Sequence, residues 1–260
     1  MKKIAAAIIK GGTAKSTTTA ALAQAAASQR RRVLAVDLDA QASLTCFLGA
    51  DPNKPGAYQM LHGTPAAEVL QETAQGITVI AASQDLATEE TTQGSAARLR
   101  AALEPLQDSF DLCFIDTPPQ MGELVFNALE AADGLIIPLE ADNSSLQGLY
   151  YITDIVQEIQ ESNPALTIYG TVITRYDARP KINRHLQKII EEAGAECGAP
   201  LLACIRPGVA IREAQALQKS IYQYASGSNP ARDYMQLYNE IIRRCGLRKR
   251  RKALTEIPRH

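Results

Sequence analysis

Residues 10 to 17 read Lys-Gly-Gly-Thr-Ala-Lys-Ser-Thr, two lysines five apart around a glycine pair, immediately after an apolar run and at the head of a helical pattern. That placement suits phosphate. Glycines let the backbone turn tightly and aim successive N–H groups at one point, and a helix N-terminus adds partial positive charge. Lys15 then reaches the β- and γ-phosphates of a nucleotide, and the Ser16 hydroxyl ligates Mg²⁺. Gly11, Gly12, Thr13, Ala14 and Thr17 complete the binding set. Two further apolar runs end in carboxylates, Val36-Asp37-Leu38-Asp39 and Phe114-Ile115-Asp116-Thr117-Pro118-Pro119. At the carboxyl end of a strand beside a phosphate loop, carboxylates hold the waters of Mg²⁺ or orient a nucleophilic water. Asp116 falls to the magnesium shell on that placement, and Thr117 is placed to sense a γ-phosphate.

The elements that must position these groups alternate. Short apolar runs at Ile4–Ile9, Arg32–Asp37, Ile77–Ala81, Leu112–Asp116, Gly134–Leu139, Ile168–Thr174 and Leu201–Ile205 read as strands. Between them, Ser16–Gln29, Ser95–Leu106, Gly122–Ala131, Leu146–Glu161 and Ile182–Ala193 carry apolar residues at spacings of three and four, as helices do. The alternation predicts a doubly wound α/β fold, a mostly parallel sheet with helices on both faces. A last helix is expected to be capped by Asn229, to carry Pro230 in its first turn and to stop at Gly246. Asp51–Thr64, rich in Pro and Gly, reads as a surface loop over the site edge. Leu146, Leu149, Tyr150, Ile152 and Ile155 form a stripe expected to face the core.

Composition narrows the class. With 46% hydrophobic and 21% charged residues the chain is neither disordered nor collagen-like. Only four Phe and no Trp argue against aromatic platforms for single-stranded nucleic acid. No run approaches the roughly 18 apolar residues of a membrane span, and six apolar residues after Met1-Lys2-Lys3 fall short of a signal peptide. Cysteines 46, 113, 197, 204 and 245 form no CxxC pair and are odd in number, which fits a reducing cytoplasm; Cys113, Cys197, Cys204 and Cys245 read as buried thiols, and His62, His185 and His260 form no pair. Net charge is −1, yet seven Arg/Lys crowd into 243–252 while the other residues carry 20 basic against 28 acidic groups, a net −8. Such asymmetry points the tail at a polyanion.

The standard phosphate-loop pattern GxxxxGK[ST] fails, because Ile9 and Ala14 occupy its glycine positions. The segment Lys10-Gly11-Gly12-x-x-Lys15-Ser16 instead resembles the deviant Walker A motif of the ParA/MinD group. Asp37-Leu38-Asp39-Ala40-Gln41-Ala42-Ser43 resembles that group's D-x-D-P-Q-x-N segment with Ala40 and Ser43 as departures, and Asp116-Thr117-Pro118-Pro119 resembles its Walker B run. Thr174-Arg175-Tyr176-Asp177-Ala178-Arg179 is similar to the T-x-Y-D-x-R segment of partition ATPases. Ile205 to Ala214 is similar to their I-P-R-x-V-x-h-x-E-A stretch, with Arg206 and Pro207 in swapped order. The likeness runs from Lys3 to about Ile242.

The resemblance implies a P-loop NTPase domain over 1–246 with a basic tail over 247–260. It implies a slow, partner-stimulated ATP hydrolase that needs ATP and Mg²⁺. Asp39 positions the attacking water and Asp37 joins the magnesium shell. Lys10 reaches the partner's nucleotide across an ATP-dependent homodimer, much as an arginine finger does. Thr174, Pro207 and Gly208, after later strands, become adenine-site residues. Expected partners are nonspecific double-stranded DNA and a ParB-like centromere-binding adaptor, in the cytoplasm on the nucleoid, for plasmid, mobile-element or chromosome partition. The alternative is a MinD-like membrane positioning ATPase. Five consecutive basic residues at 248–252, with only Leu247 and Leu254 near, favour DNA over the amphipathic helix a membrane would need. A metabolic enzyme and a pure ATP-binding scaffold are further alternatives.

Overall fold

The apolar runs become eight strands of one sheet in a computed structural model that describes residues 1–88 and 97–247. They are β1 (Lys2–Ala6), β2 (Val33–Asp37), β3 (Leu70–Glu72), β4 (Thr78–Ile80), β5 (Leu112–Asp116), β6 (Gly134–Leu139), β7 (Thr167–Ile173) and β8 (Leu201–Cys204). Their order is β3-β4-β2-β5-β1-β6-β7-β8. All pairs are parallel except β3 with β4, an antiparallel edge that sequence periodicity missed because three residues carry no period. The helices are α1 (Lys15–Ser28), α2 (Ser43–Leu48), α3 (Ala57–Leu61), α4 (Arg98–Leu103), α5 (Glu123–Ala131), α6 (Asn143–Ser162), α7 (Lys181–Glu196), α8 (Val209–Ala216), α9 (Ile221–Tyr224) and α10 (Asn229–Arg244).

Side chains alternate across each strand, so the sheet divides its apolar residues between two cores. Ala5, Leu34, Val36, Cys113 and Ile137 join buried residues of α3 to α7 on one face. Ile4, Ala6, Val33, Ala35 and Phe114 join α1, α2 and α10 on the other. Both faces are covered, which is why the strands read as continuous apolar runs. Helix α1 is almost wholly buried, and its alanines at 20, 21, 23, 25 and 26 let it lie close against the sheet.

Three expectations need correction. Ser228, not Asn229, caps α10: its hydroxyl accepts from the Ala231 N–H at 3.4 Å, and Asn229 is already helical. Pro230 does sit in the first turn and Gly246, with φ 68°, follows the last. Asp51–Thr64 is not all loop, since it contains α3, whose Met60 and Leu61 are buried. Of the α6 stripe, Leu149, Ile152 and Ile155 are core, but Tyr150 is exposed. Ser95, the tail residues Arg248 to Lys252 and His260 lie outside the described residues. No helix among the described residues is long and apolar enough to cross a membrane.

Candidate functional site

Central β1 has β5 on one side and β6 on the other. The chain leaves β1 toward β2 and returns from β5 toward β6, so the crevice beyond its carboxyl end is a topological switch point where ligands bind in open α/β sheets. Three segments meet there: the loop from Ala7 into α1, Asp37 to Ser43 after β2, and Asp116 to Pro119 after β5.

The loop is shaped by two left-handed residues, Gly12 at φ 79° and Ala14 at φ 60°. Ala14 is the N-cap of α1. Lys15, nearly buried, folds back so that its Nζ donates to the Lys10 carbonyl at 3.1 Å. Burial lowers its pKa, against the opposing charges of Asp116 and Asp39. Gly11 to Thr17, Asp39, Gln41, Ser43, Phe47, Pro119 and Arg175 line a cleft of about 290 Å³. The candidates of the phosphate loop are thus together with Asp39.

Beneath the cleft lie two buried carboxylates. Asp37 and Asp116 are register partners on adjacent strands, each fully buried. Burial, and then the Asp37 charge, push Asp116 up to about 8, with the Ser16 hydroxyl and Lys15 pulling the other way. Its Oδ1 accepts from Thr19 Oγ1 at 3.2 Å, while Oδ2 is buried without a hydrogen-bond partner. Burial raises Asp37 to about 6, opposed by the Thr45 N–H and hydroxyl, both donating to Oδ2 at 2.8 Å. Its Oδ1 accepts from the Asp39 N–H at 3.1 Å. Asp116 Oδ2 is buried with no hydrogen-bond donor, and burial raises both carboxyls, two costs that a nearby cation would relieve. The residues therefore fit a divalent ion. Among the described residues no group of three or more His, Cys, Asp or Glu is disposed to hold a metal alone.

A second cleft of about 790 Å³ adjoins the first through Ala14, Thr17, Phe47 and Arg175. Thr174, Pro207 and Gly208 line it together with Tyr234. Thr174 Oγ1 donates to the backbone, with Thr13 O at 3.1 Å and Leu139 O at 3.2 Å, which ties β7 to the phosphate loop. The swapped pair stays together in the wall: Arg206, Pro207 and Gly208 all line the cleft, and the Arg206 guanidinium pairs with Asp233 through Nε at 2.9 Å and Nη2 at 2.6 Å.

Lys10 lines neither cleft, since its ammonium points at Asp142 ahead of α6. Sequence reasoning missed Thr19, Thr45, Phe47, Arg175 and Asp142. Arg175 carried a signal, lying inside a segment already singled out, and its φ of 51° marks a backbone held in a costly conformation.

Comparison with known proteins agrees with this geometry. Residues 1–168 match a family model described as an AAA domain. Chromosome-partitioning ATPase Soj of Thermus thermophilus is 34% identical over 248 residues, covering 94% of this chain and 96% of that protein. Chromosome partitioning protein ParA of Myxococcus xanthus is 33% identical over 223 residues, covering 82% and 78%. The crystal structure of cobyrinic acid a,c-diamide synthase from Mycobacterium smegmatis with bound ATP analog and magnesium is similar at TM-score 0.79 and 30% identity, over 96% of this chain and 98% of that one.

Proposed function

From the premise that this chain belongs to the ParA-type partition ATPases, we propose that it is a switch that binds MgATP, pairs with a second copy, holds nonspecific duplex DNA and resets by slow hydrolysis. The observation that carries this reading is the pair of joined clefts, one lined by Gly11 to Thr17 and one large enough for a nucleoside, above two buried carboxylates.

In this reading the amides of Gly11 to Thr17 bind the phosphates, and Lys15 leaves the Lys10 carbonyl to neutralise the β- and γ-oxygens. Ser16, Asp116 and Asp37 would hold Mg²⁺, which would supply charge neutralisation at the phosphates. Asp39 orients the attacking water from the cleft rim. Thr174, Pro207 and Gly208 hold the adenine side. Lys10 serves the partner subunit's nucleotide, so that hydrolysis and pairing are coupled. A DNA-bound adaptor of the ParB kind stimulates hydrolysis, which places the protein on the nucleoid in the cytoplasm.

Duplex binding is assigned to the tail beyond Gly246 together with the end of α10, where Arg243 and Arg244 stand over Glu240. Phosphate neutralisation releases counterions, so affinity should fall with salt at a log–log slope of roughly −0.9 per contact, regardless of sequence. Pairing doubles the patch, so ATP should tighten binding and ADP should not. Titrating labelled random duplex at several salt concentrations, with full-length protein and with a chain ending at Gly246, tests this. The truncated chain should bind more weakly with a flatter slope. Unchanged duplex binding, with loss of binding to anionic vesicles instead, would move the tail from DNA to membrane.

A further inference from the structure

Lys10 carries the second fixed cation of the phosphate loop, and the structure shows what holds it. Its Nζ donates to Asp142 Oδ2 at 2.5 Å and to Ser145 Oγ at 3.2 Å, with the two side chains 21% and 41% exposed. Asp142 is at the same time the N-cap of α6. Its Oδ1 accepts from the Ser145 N–H at 2.8 Å and from the Ser144 hydroxyl at 2.9 Å. One carboxylate therefore divides its oxygens, one for the helix and one for the lysine. Burial raises the Asp142 carboxyl, but the Lys10 and serine hydrogen bonds outweigh it and bring the group to about 2, so it is ionised at neutral pH. The turn around it is fixed as well: the Asp142 N–H donates to Glu140 O at 2.9 Å, the Glu140 N–H to Ser145 Oγ at 3.2 Å, and Arg175 pairs with Glu140 at 2.8 Å.

We propose that Asp142 is a latch that parks Lys10 against its own subunit, so that two subunits pair by exchanging Asp142 for the phosphates of the partner's nucleotide. This rests on the reading that Lys10 serves the partner. The exchange explains how the two nucleotides are told apart. Giving up the carboxylate costs an ion pair, and ATP offers Lys10 one more phosphate group and one more negative charge than ADP to offset that cost. The latch thus sets a threshold that ATP crosses and ADP does not. Hydrolysis removes the competing charge, and Asp142 recaptures Lys10 as the subunits part.

Asp142→Asn isolates the latch, because asparagine caps a helix about as well as aspartate but offers Lys10 no charge. Two latches open per dimer, so a partly exposed pair of ordinary strength should shift the dimerisation midpoint with ATP roughly five- to thirty-fold toward lower protein concentration. Sedimentation equilibrium reads the shift, and pairing with ADP should become detectable. A midpoint unchanged from the parent protein overturns the latch. A second readout does not need a dimer. Reductive methylation of the nucleotide-free protein, followed by mass spectrometry, should modify Lys10 several-fold faster in Asp142→Asn than in the parent. Equal rates overturn the latch whether or not either protein pairs. Faster labelling with no pairing in either protein supports the latch and counts instead against the dimer.

Discussion

Ala14 is where one residue type and one backbone angle conflict. A side chain at φ 60° costs about 1 kcal/mol relative to glycine, and the neighbouring left-handed position is filled by Gly12. The strain is present before any nucleotide arrives, so the part shared by the free and bound loops cancels from the affinity. Ala14→Gly should therefore raise the stability of the nucleotide-free protein by about 0.5–1 kcal/mol in urea unfolding. A variant no more stable than the parent would mean that the alanine is not strained there. The chemistry-bearing residues were legible because strand ends and a glycine pair announce them in order along the chain. Their supports were not. Thr19 meets Asp116 across 97 positions and Lys10 meets Asp142 across 132, and no period or spacing connects residues so far apart.

At the scale of elements, legibility followed length and burial together: β4 is as short as β3 but wholly buried, and could be read where β3 could not. Seven strands and six helices long enough to show a period, or buried on both faces, could be read directly. The short α2, α3, α8 and α9 and the edge strand β3 form because tertiary contacts hold them, as isolated short helices are marginal. Helix α3 shows how. The Ala57 N–H donates to the Ala81 carbonyl at 2.8 Å, and Gly56 lies so close that an added Cβ would stand 2.0 Å from that same oxygen. Its φ of −155° is open to any residue, so the glycine answers a close approach rather than a backbone angle. Gly56→Ala should force α3 off the sheet at a cost of about 1–3 kcal/mol, read as a lower denaturation midpoint with an unchanged slope. A loss below about 0.5 kcal/mol would mean that the loop yields freely.

Across the whole molecule, the doubly wound sheet gathers the ends of β1, β2 and β5 into one crevice; the sequence placed each motif at a strand's carboxyl end but did not give the order of the strands in the sheet. What a single chain's sequence did not reveal is the resting position of Lys10, which depends on the turn before α6. In the proposed switch, nucleotide controls pairing and Asp39 ends it. Removing the Asp39 carboxylate leaves the phosphate loop, Lys15 and the buried carboxylates in place, so Asp39→Ala should bind ATP and remain paired. Sedimentation velocity of this variant with saturating MgATP and, separately, MgADP measures the claim most directly. A particle near twice the 28.1 kDa subunit is expected with ATP and a single subunit with ADP. The same mass with both nucleotides would contradict it.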